Sequence, residues 1–150
     1  MSVGGGQLQE LSEQLQIVQS QIEALQTTVE TLRAQQTAID EAIEAIETLD
    51  TDDVVQVPLG GGAYVRATIE DIDEIIVEIG GDYAAEFDQE NAAGALDRKK
   101  DRIDERIEEA TERIGELQAE GAELEQEAQA LQQQAMQQQL QQQQGLGRDE

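Results

Sequence analysis

From Leu8 the apolar positions step by three and four residues through Leu11, Leu15, Val18, Ile22, Leu25, Val29, Leu32, Ile39, Ile43 and Ile46, with Gln36 the one polar interruption. This heptad predicts a long helix over 8–49, wound left-handed about a partner helix. A second run with the same spacing follows Asn91: Leu96, Ile103, Ile107, Ala110, Ile114, Leu117, Gly121, Leu124, Ala128, Leu131 and Ala135. It predicts a helix over 91–144 that Asp88 or Asn91 can cap. Folded back on each other, the two runs pair Ile46 with Leu96, Ile39 with Ile103, Val29 with Ile114, Leu25 with Leu117, Val18 with Leu124 and Leu11 with Leu131. No insertion is needed, so the partner helix is the chain's own, in an antiparallel hairpin. The same ladder sets Leu32 against Ala110, Ile22 against Gly121, Leu15 against Ala128 and Leu8 against Ala135, large residues facing small ones. A missing methylene forfeits about 0.8 kcal/mol of burial, and a helical glycine costs about 1 kcal/mol relative to alanine. The arms should therefore be firm near the middle segment and looser at their free ends, unless the small residues simply let the helices approach closely.

Between the arms, over 50–87, the period changes from seven to two. Val55, Val57 and Leu59 alternate, as do Ala63, Val65, Ala67 and Ile69, then Ile75, Val77 and Ile79, then Tyr83, Ala85 and Phe87. These are four short strands. Gly60-Gly61-Gly62 and Gly80-Gly81-Asp82 supply the positive φ angles of tight hairpin turns. Pro58 cannot donate to a ladder, which places its strand at an edge. The fold class is thus α+β, mostly α: one unit of two coiled-coil arms joined by two β-hairpins, with flexible ends at 1–6 and 145–150. Two-stranded pieces are marginal alone and carry open edges, so the head is expected to oligomerise and close a barrel or sheet with other chains.

Composition narrows the function. There is no cysteine or histidine, which removes disulfides, thiolate metal sites and the commonest neutral-pH base. Gly60-Gly61-Gly62 lacks a following Lys-Ser or Lys-Thr and leads into a strand, so it reads as a turn and not a phosphate loop. Asp50, Asp52 and Asp53 crowd one corner without the glycine and distal glutamate of a calcium loop. Acidic pairs such as Glu41 with Glu44, or Glu108 with Glu109, fall on solvent-facing helix positions. No enzyme, cofactor or metal site is expected. The net charge of −25, from 34 acidic against 9 basic residues, repels phosphate backbones and anionic lipids, so no nucleic-acid or membrane partner is expected. In molar salt the screening length falls to about 3 Å and such self-repulsion largely disappears, so the charge reads as adaptation to a salty cytoplasm in preference to the alternative, an acidic ligand-binding surface. Met1–Gly6 has neither the basic region nor the apolar run of a signal peptide, and the expected location is cytoplasmic. The stretch 132–144 is mostly glutamine, broken by Ala135, Met136 and Leu140; it is either a frayed helix end or a polar tip with sparse apolar contacts.

The segment Val57-Pro58-Leu59-Gly60-Gly61-Gly62-Ala63-Tyr64-Val65, followed by Ile76-Val77-Glu78-Ile79-Gly80-Gly81-Asp82-Tyr83, resembles the head of the archaeal-type alpha subunits of the prefoldin family. Four strand-like runs between the arms, instead of two, select the alpha over the beta type. The resemblance implies a hexamer of two alpha and four beta subunits, with hairpins forming a double β-barrel platform that carries six coiled coils. It further implies an ATP-independent holdase that captures unfolded polypeptides at the coiled-coil tips and delivers them to a group II chaperonin. Carried onto this chain, client contacts would fall near Leu8, Leu11, Leu131, Met136 and Leu140. Subunit contacts would fall on Val55, Val57, Val65, Ile75, Val77 and Ile79. The Gln-rich end departs from the plain arm of the family. The alternative is a structural coiled-coil tether or spacer without chaperone activity.

Overall fold

A computed structural model describes residues 3–148. Helix α1 spans Val3–Thr48, strands β1 Val54–Gly60, β2 Ala63–Thr68, β3 Ile75–Gly80 and β4 Tyr83–Phe87 follow, and helix α2 spans Gln89–Arg148. Helical backbone continues through Gly4–Gly6 and past Gly145, because each added residue closes a further backbone bond at only a modest glycine cost. Met1, Ser2, Asp149 and Glu150, which complete the expected flexible ends, lie outside the described residues.

The four strands form two separate two-stranded antiparallel sheets, β1 with β2 and β3 with β4. In each, the two central turn residues both have positive φ: Gly61 (59°) and Gly62 (82°) in the first, Gly81 (57°) and Asp82 (63°) in the second. That is the type I′ geometry whose twist matches the flanking strands. An irregularity in register, between Pro58 and Gly60 and again between Glu78 and Gly80, precedes each turn.

The chain divides into two compact units, Glu30–Ile107 and Met1–Val29 with Glu108–Glu150. In the first, which holds both hairpins, Leu32, Ile39 and Ile103 are buried together with Ile43, Leu96 and Ile107 packed on them, as the heptad register requires. A second cluster joins Val77, Ala92 and Ala95 to Ile46, Ile75, Phe87 and Leu96, and so seats the β3–β4 hairpin on the helices. Gln36, the polar interruption, is half-buried; its amide donates to the Lys100 carbonyl (3.4 Å) and to the Asp104 carboxylate, so the break in the apolar seam is hydrogen-bonded across the arms.

In the other unit Leu11, Val18, Val29, Ala110 and Leu117 are buried. Leu11 and Leu131 line one groove, and Val18 and Ile22 another with Leu117 and Gly121. A β-carbon at Gly121 would lie 3.6 Å from Val18 Cγ1, ordinary contact, so this glycine is not demanded by close helix approach. The expected outward loosening is visible in α2 alone: Ile103, Ala110 and Leu117 are buried, while Leu124, Leu131 and Ala135 farther along the seam are half-buried. Along α1 no such gradient appears, since Leu11 is as well covered as Ile39.

Candidate functional site

Local chemistry first fixes the head. Asp88 caps α2: its carboxylate accepts from the Asn91 backbone N–H (2.8 Å) and from the Asn91 side-chain amide (3.0 Å). Of the two candidate caps, Asn91 therefore sits inside the first turn. The next residue, Gln89, donates its amide to the carbonyl oxygens of Ile46 (2.6 Å) and Leu49 (3.0 Å), satisfying acceptors that the end of α1 leaves unpaired. The heptad pattern gave no sign of this role. Asp73 accepts from the Gln89 N–H at 3.3 Å and ties the β2–β3 connection to the same point.

The acidic corner is a turn. Asp53 accepts from the Asp50 N–H at 2.8 Å, and Asp52 and Asp53 exchange backbone bonds with Ile69 that close the base of the first hairpin. Among the described residues no group of three or more carboxylates is placed to hold a metal ion, and no helix is long and apolar enough to cross a membrane.

The two lysines, Lys99 and Lys100, are adjacent and both engaged. Lys99 Nζ donates to the Glu78 carbonyl of β3 (3.2 Å), and Lys100 Nζ bonds Asp40 of α1 (2.7 Å). The hydrogen bond to Asp40, helped by the charges of Asp40, Asp104 and Asp97 against a smaller desolvation effect, holds the Lys100 ammonium above its usual pKa.

Uncovered apolar surface is concentrated on the strands. Val54, Val57, Leu59, Tyr64, Val65, Ile76, Ile79 and Tyr83 are exposed there, while on the helices only Ile17, Met136 and Leu140 are so exposed among the described residues. The six strand residues expected at a subunit interface are divided by the structure. Val57 and Val65, cross-strand partners, are exposed, as is Ile79; Val55 and Ile75 are half-buried; Val77 is only 5% exposed, inside the chain's own core. Alternation could not say which apolar face the helices would claim. Both tyrosines of the chain lie uncovered next to the hairpin turns. Aromatic side chains are enriched where proteins meet, and the two tyrosines beside the glycine turns are the sequence signal for such a surface.

Of the residues expected to meet a client, Met136 (64%) and Leu140 (55%) are exposed, Leu8 and Leu131 half-buried, and Leu11 buried. An open groove of about 500 Å³ is lined by Leu11, Ala130, Leu131 and the polar residues Gln7, Glu10, Gln14, Glu127 and Gln134. At the register that places Leu11 beside Leu131, Val3 falls level with Gln139, so the last turns of α2 continue past the described start of α1. The Gln-rich stretch is helical throughout.

Comparison with known proteins places this geometry. The profile of the family described as Prefoldin subunit matches residues 18–134. A prefoldin subunit alpha of Halorubrum lacusprofundi is 62% identical over 108 residues, 71% of each chain. One from Halobacterium salinarum is 59% identical over 111 residues, 72% of each chain. Among solved structures, a filamentous PFD from Methanocaldococcus jannaschii seen by cryo-EM has a chain of the same fold, with a TM-score of 0.65 at 24% identity, covering 75% of this chain and 95% of its own.

Proposed function

This chain belongs to the prefoldin family, and from that premise we propose that it is the alpha-type subunit of a chaperone complex, a holdase that keeps unfolded polypeptides from aggregating without ATP or catalysis. The spacer reading has no support beside this membership. The observation that carries the reading is that uncovered apolar surface is concentrated on the strands, with a smaller share on the helices at Ile17, Met136 and Leu140. The strand surface suits assembly: Val57, Leu59, Val65, Ile79, Tyr64 and Tyr83 are offered together with open sheet edges, and beta-type subunits that pair with them would remove both. The helix end suits weak capture. Met136 and Leu140 present a little apolar surface each, Leu8 and Leu131 lie half-covered, and Leu11 joins them only if the helix ends part. Several such ends on one platform raise the effective concentration for a single client, so weak contacts suffice. Transfer to a group II chaperonin completes the proposed cycle in the cytoplasm.

The test uses the full chain reconstituted with a beta-type subunit in molar KCl. Complex mass and suppression of aggregation of a denatured client are measured for the full chain and for one lacking residues 1–12 and 127–150. Assembly should survive the truncation and protection should be lost. Equal protection by the truncated complex refutes the capture role of the helix ends.

A further inference from the structure

Each hairpin is a sheet of two strands with two outer edges, and the chain treats these edges unequally. The alternation of the ladder shows which backbone groups face outward. Ile69 donates its N–H to the Asp53 carbonyl (2.9 Å) and accepts from the Asp52 N–H (2.8 Å), so both of its groups face the chain leading into β1. Inward-facing residues recur at every second position of an antiparallel pair, which turns Ala67 and Val65 inward with their partners Val55 and Val57. Tyr64, Arg66 and Thr68 of β2 then point their N–H and C=O groups outward, and so do Val54, Gln56 and Pro58 of β1 for the groups they have. In the second hairpin the pair of Glu78 with Ala84 stands at the same offset before its turn as Pro58 with Tyr64. Its outward residues are therefore Ile76 and Glu78 of β3, and Ala84 and Glu86 of β4. The bond from Lys99 Nζ to the Glu78 carbonyl (3.2 Å) agrees, since it reaches that oxygen from outside the ladder.

Two of these edges are blunted. β1 has no donor at Pro58, and the proline ring stands where an added strand would lie. On β3 the Lys99 ammonium of α2 already occupies the Glu78 carbonyl. Proline and lysine at a sheet edge are devices that keep other strands from pairing there. β2 and β4 carry neither, and among the described residues no backbone bond from outside their own hairpins reaches Tyr64, Arg66, Thr68, Ala84 or Glu86. Both tyrosines of the chain, each exposed, belong to these same two strands: Tyr64 to β2 and Tyr83 to β4. We propose that this chain pairs main chain to main chain with strands of beta-type subunits along β2 and β4, the two edges it leaves whole, while β1 and β3 are closed to such pairing. An extended strand is the occupant these edges fit, because only another main chain meets alternate N–H and C=O groups at this spacing. That the strand comes from a beta-type subunit rests on the assembly reading above, which the inference deepens by naming the edges.

The test reads amide hydrogen exchange residue by residue on the full chain, alone and in its complex with a beta-type subunit in molar KCl. Exchange at Arg66, Thr68 and Glu86 should slow about tenfold or more on assembly, and exchange at Gln56 and Ile76 much less. Equal slowing on all four strands overturns the proposal. Proline variants supply a second readout, because proline at an outward position removes an edge donor and spares the hairpin's own ladder. Arg66→Pro and Glu86→Pro should each weaken association about tenfold or more, whereas Arg66→Ala and Glu86→Ala, which keep the N–H, and Gln56→Pro on the blunted edge should change it little. Association weakened as much by Gln56→Pro as by Arg66→Pro overturns the proposal too. The exchange measurement needs no substitution and decides the matter if a proline variant fails to fold. A high-mass species of this chain alone, with the same amides protected, would make a second copy the occupant and also overturn it. If no complex forms with the beta-type subunit, the assembly reading fails and the proposal with it; if the complex forms with β1 and β3 protected like β2 and β4, only the proposal fails.

Discussion

The two hairpins share their turn chemistry and their antiparallel register, and differ in what they are attached to. β3–β4 ends one residue before the cap of α2, so its apolar face is laid on the helices: Val77 is buried with Ala92 and Ala95, Ile75 and Phe87 pack beside it, and Lys99 holds the Glu78 carbonyl. β1–β2 has connections on both sides, 49–53 and 69–74, and its comparable face, with Val57, Leu59 and Val65, is uncovered. Similar local sequence thus yields one element that completes the chain's own core and one whose apolar side chains stay uncovered. Proximity along the chain decides which is which, because a strand next to a helix start costs little loop entropy to dock.

The comparison breaks most sharply at its buried residue. Val77→Asp places a charge inside the Ala92–Ala95 cluster and should lower stability by about 3 kcal/mol or more, read as a fall in the unfolding midpoint. Val65→Asp, on the uncovered face, should leave the midpoint nearly unchanged and abolish the high-mass complex with beta-type subunits. Equal effects of the two on folding would erase the distinction between the hairpins. Next in size, Asp88→Ala removes the cap that fixes the junction of β4 and α2 and should cost about 1 kcal/mol in the same unfolding assay. Gly121→Ala lies far from both hairpins in sequence and gives the helix a better residue where a methyl meets Val18 at ordinary distance. It should raise stability by up to about 1 kcal/mol without altering assembly.

The smallest expected effect belongs to Lys100. Its folded-state pKa is raised, so the bond to Asp40 contributes fully below the unfolded lysine value, about 10.4, and is lost as pH rises through the higher folded value. Thermal unfolding of the chain should therefore lose a small increment above that pH, and Asp40→Asn should remove this part of the alkaline dependence. An unaltered profile in the variant would show that the pair adds nothing measurable.

Much of the arms was written in the heptads. Layers such as Ile39 with Ile103 pack as spacing alone requires, because a 3.5-residue repeat leaves a helix only one way to bury its seam. The hairpin turns were equally legible, since successive positive φ angles are readily adopted by glycine and, beside it, by Asn or Asp, and both turns are built from such residues. Less could be read of the site. Met136 and Leu140 stand exposed as their sparse glutamine setting suggested, whereas Leu11, expected to meet a client, is covered at the seam position where the ladder sets it beside Leu131.

By itself, then, the sequence determined the helices, their register, the two turns and the acidic surface, because each follows from local periodicity, backbone preference or composition. Only the tertiary structure decided that Val77 belongs to the core while Val57 and Val65 do not, that Gln89 closes the end of α1, and that Gln36 is satisfied by Lys100 and Asp104. Those outcomes depend on which surface arrives opposite which, and a pattern along one strand or helix carries no information about what lies across from it.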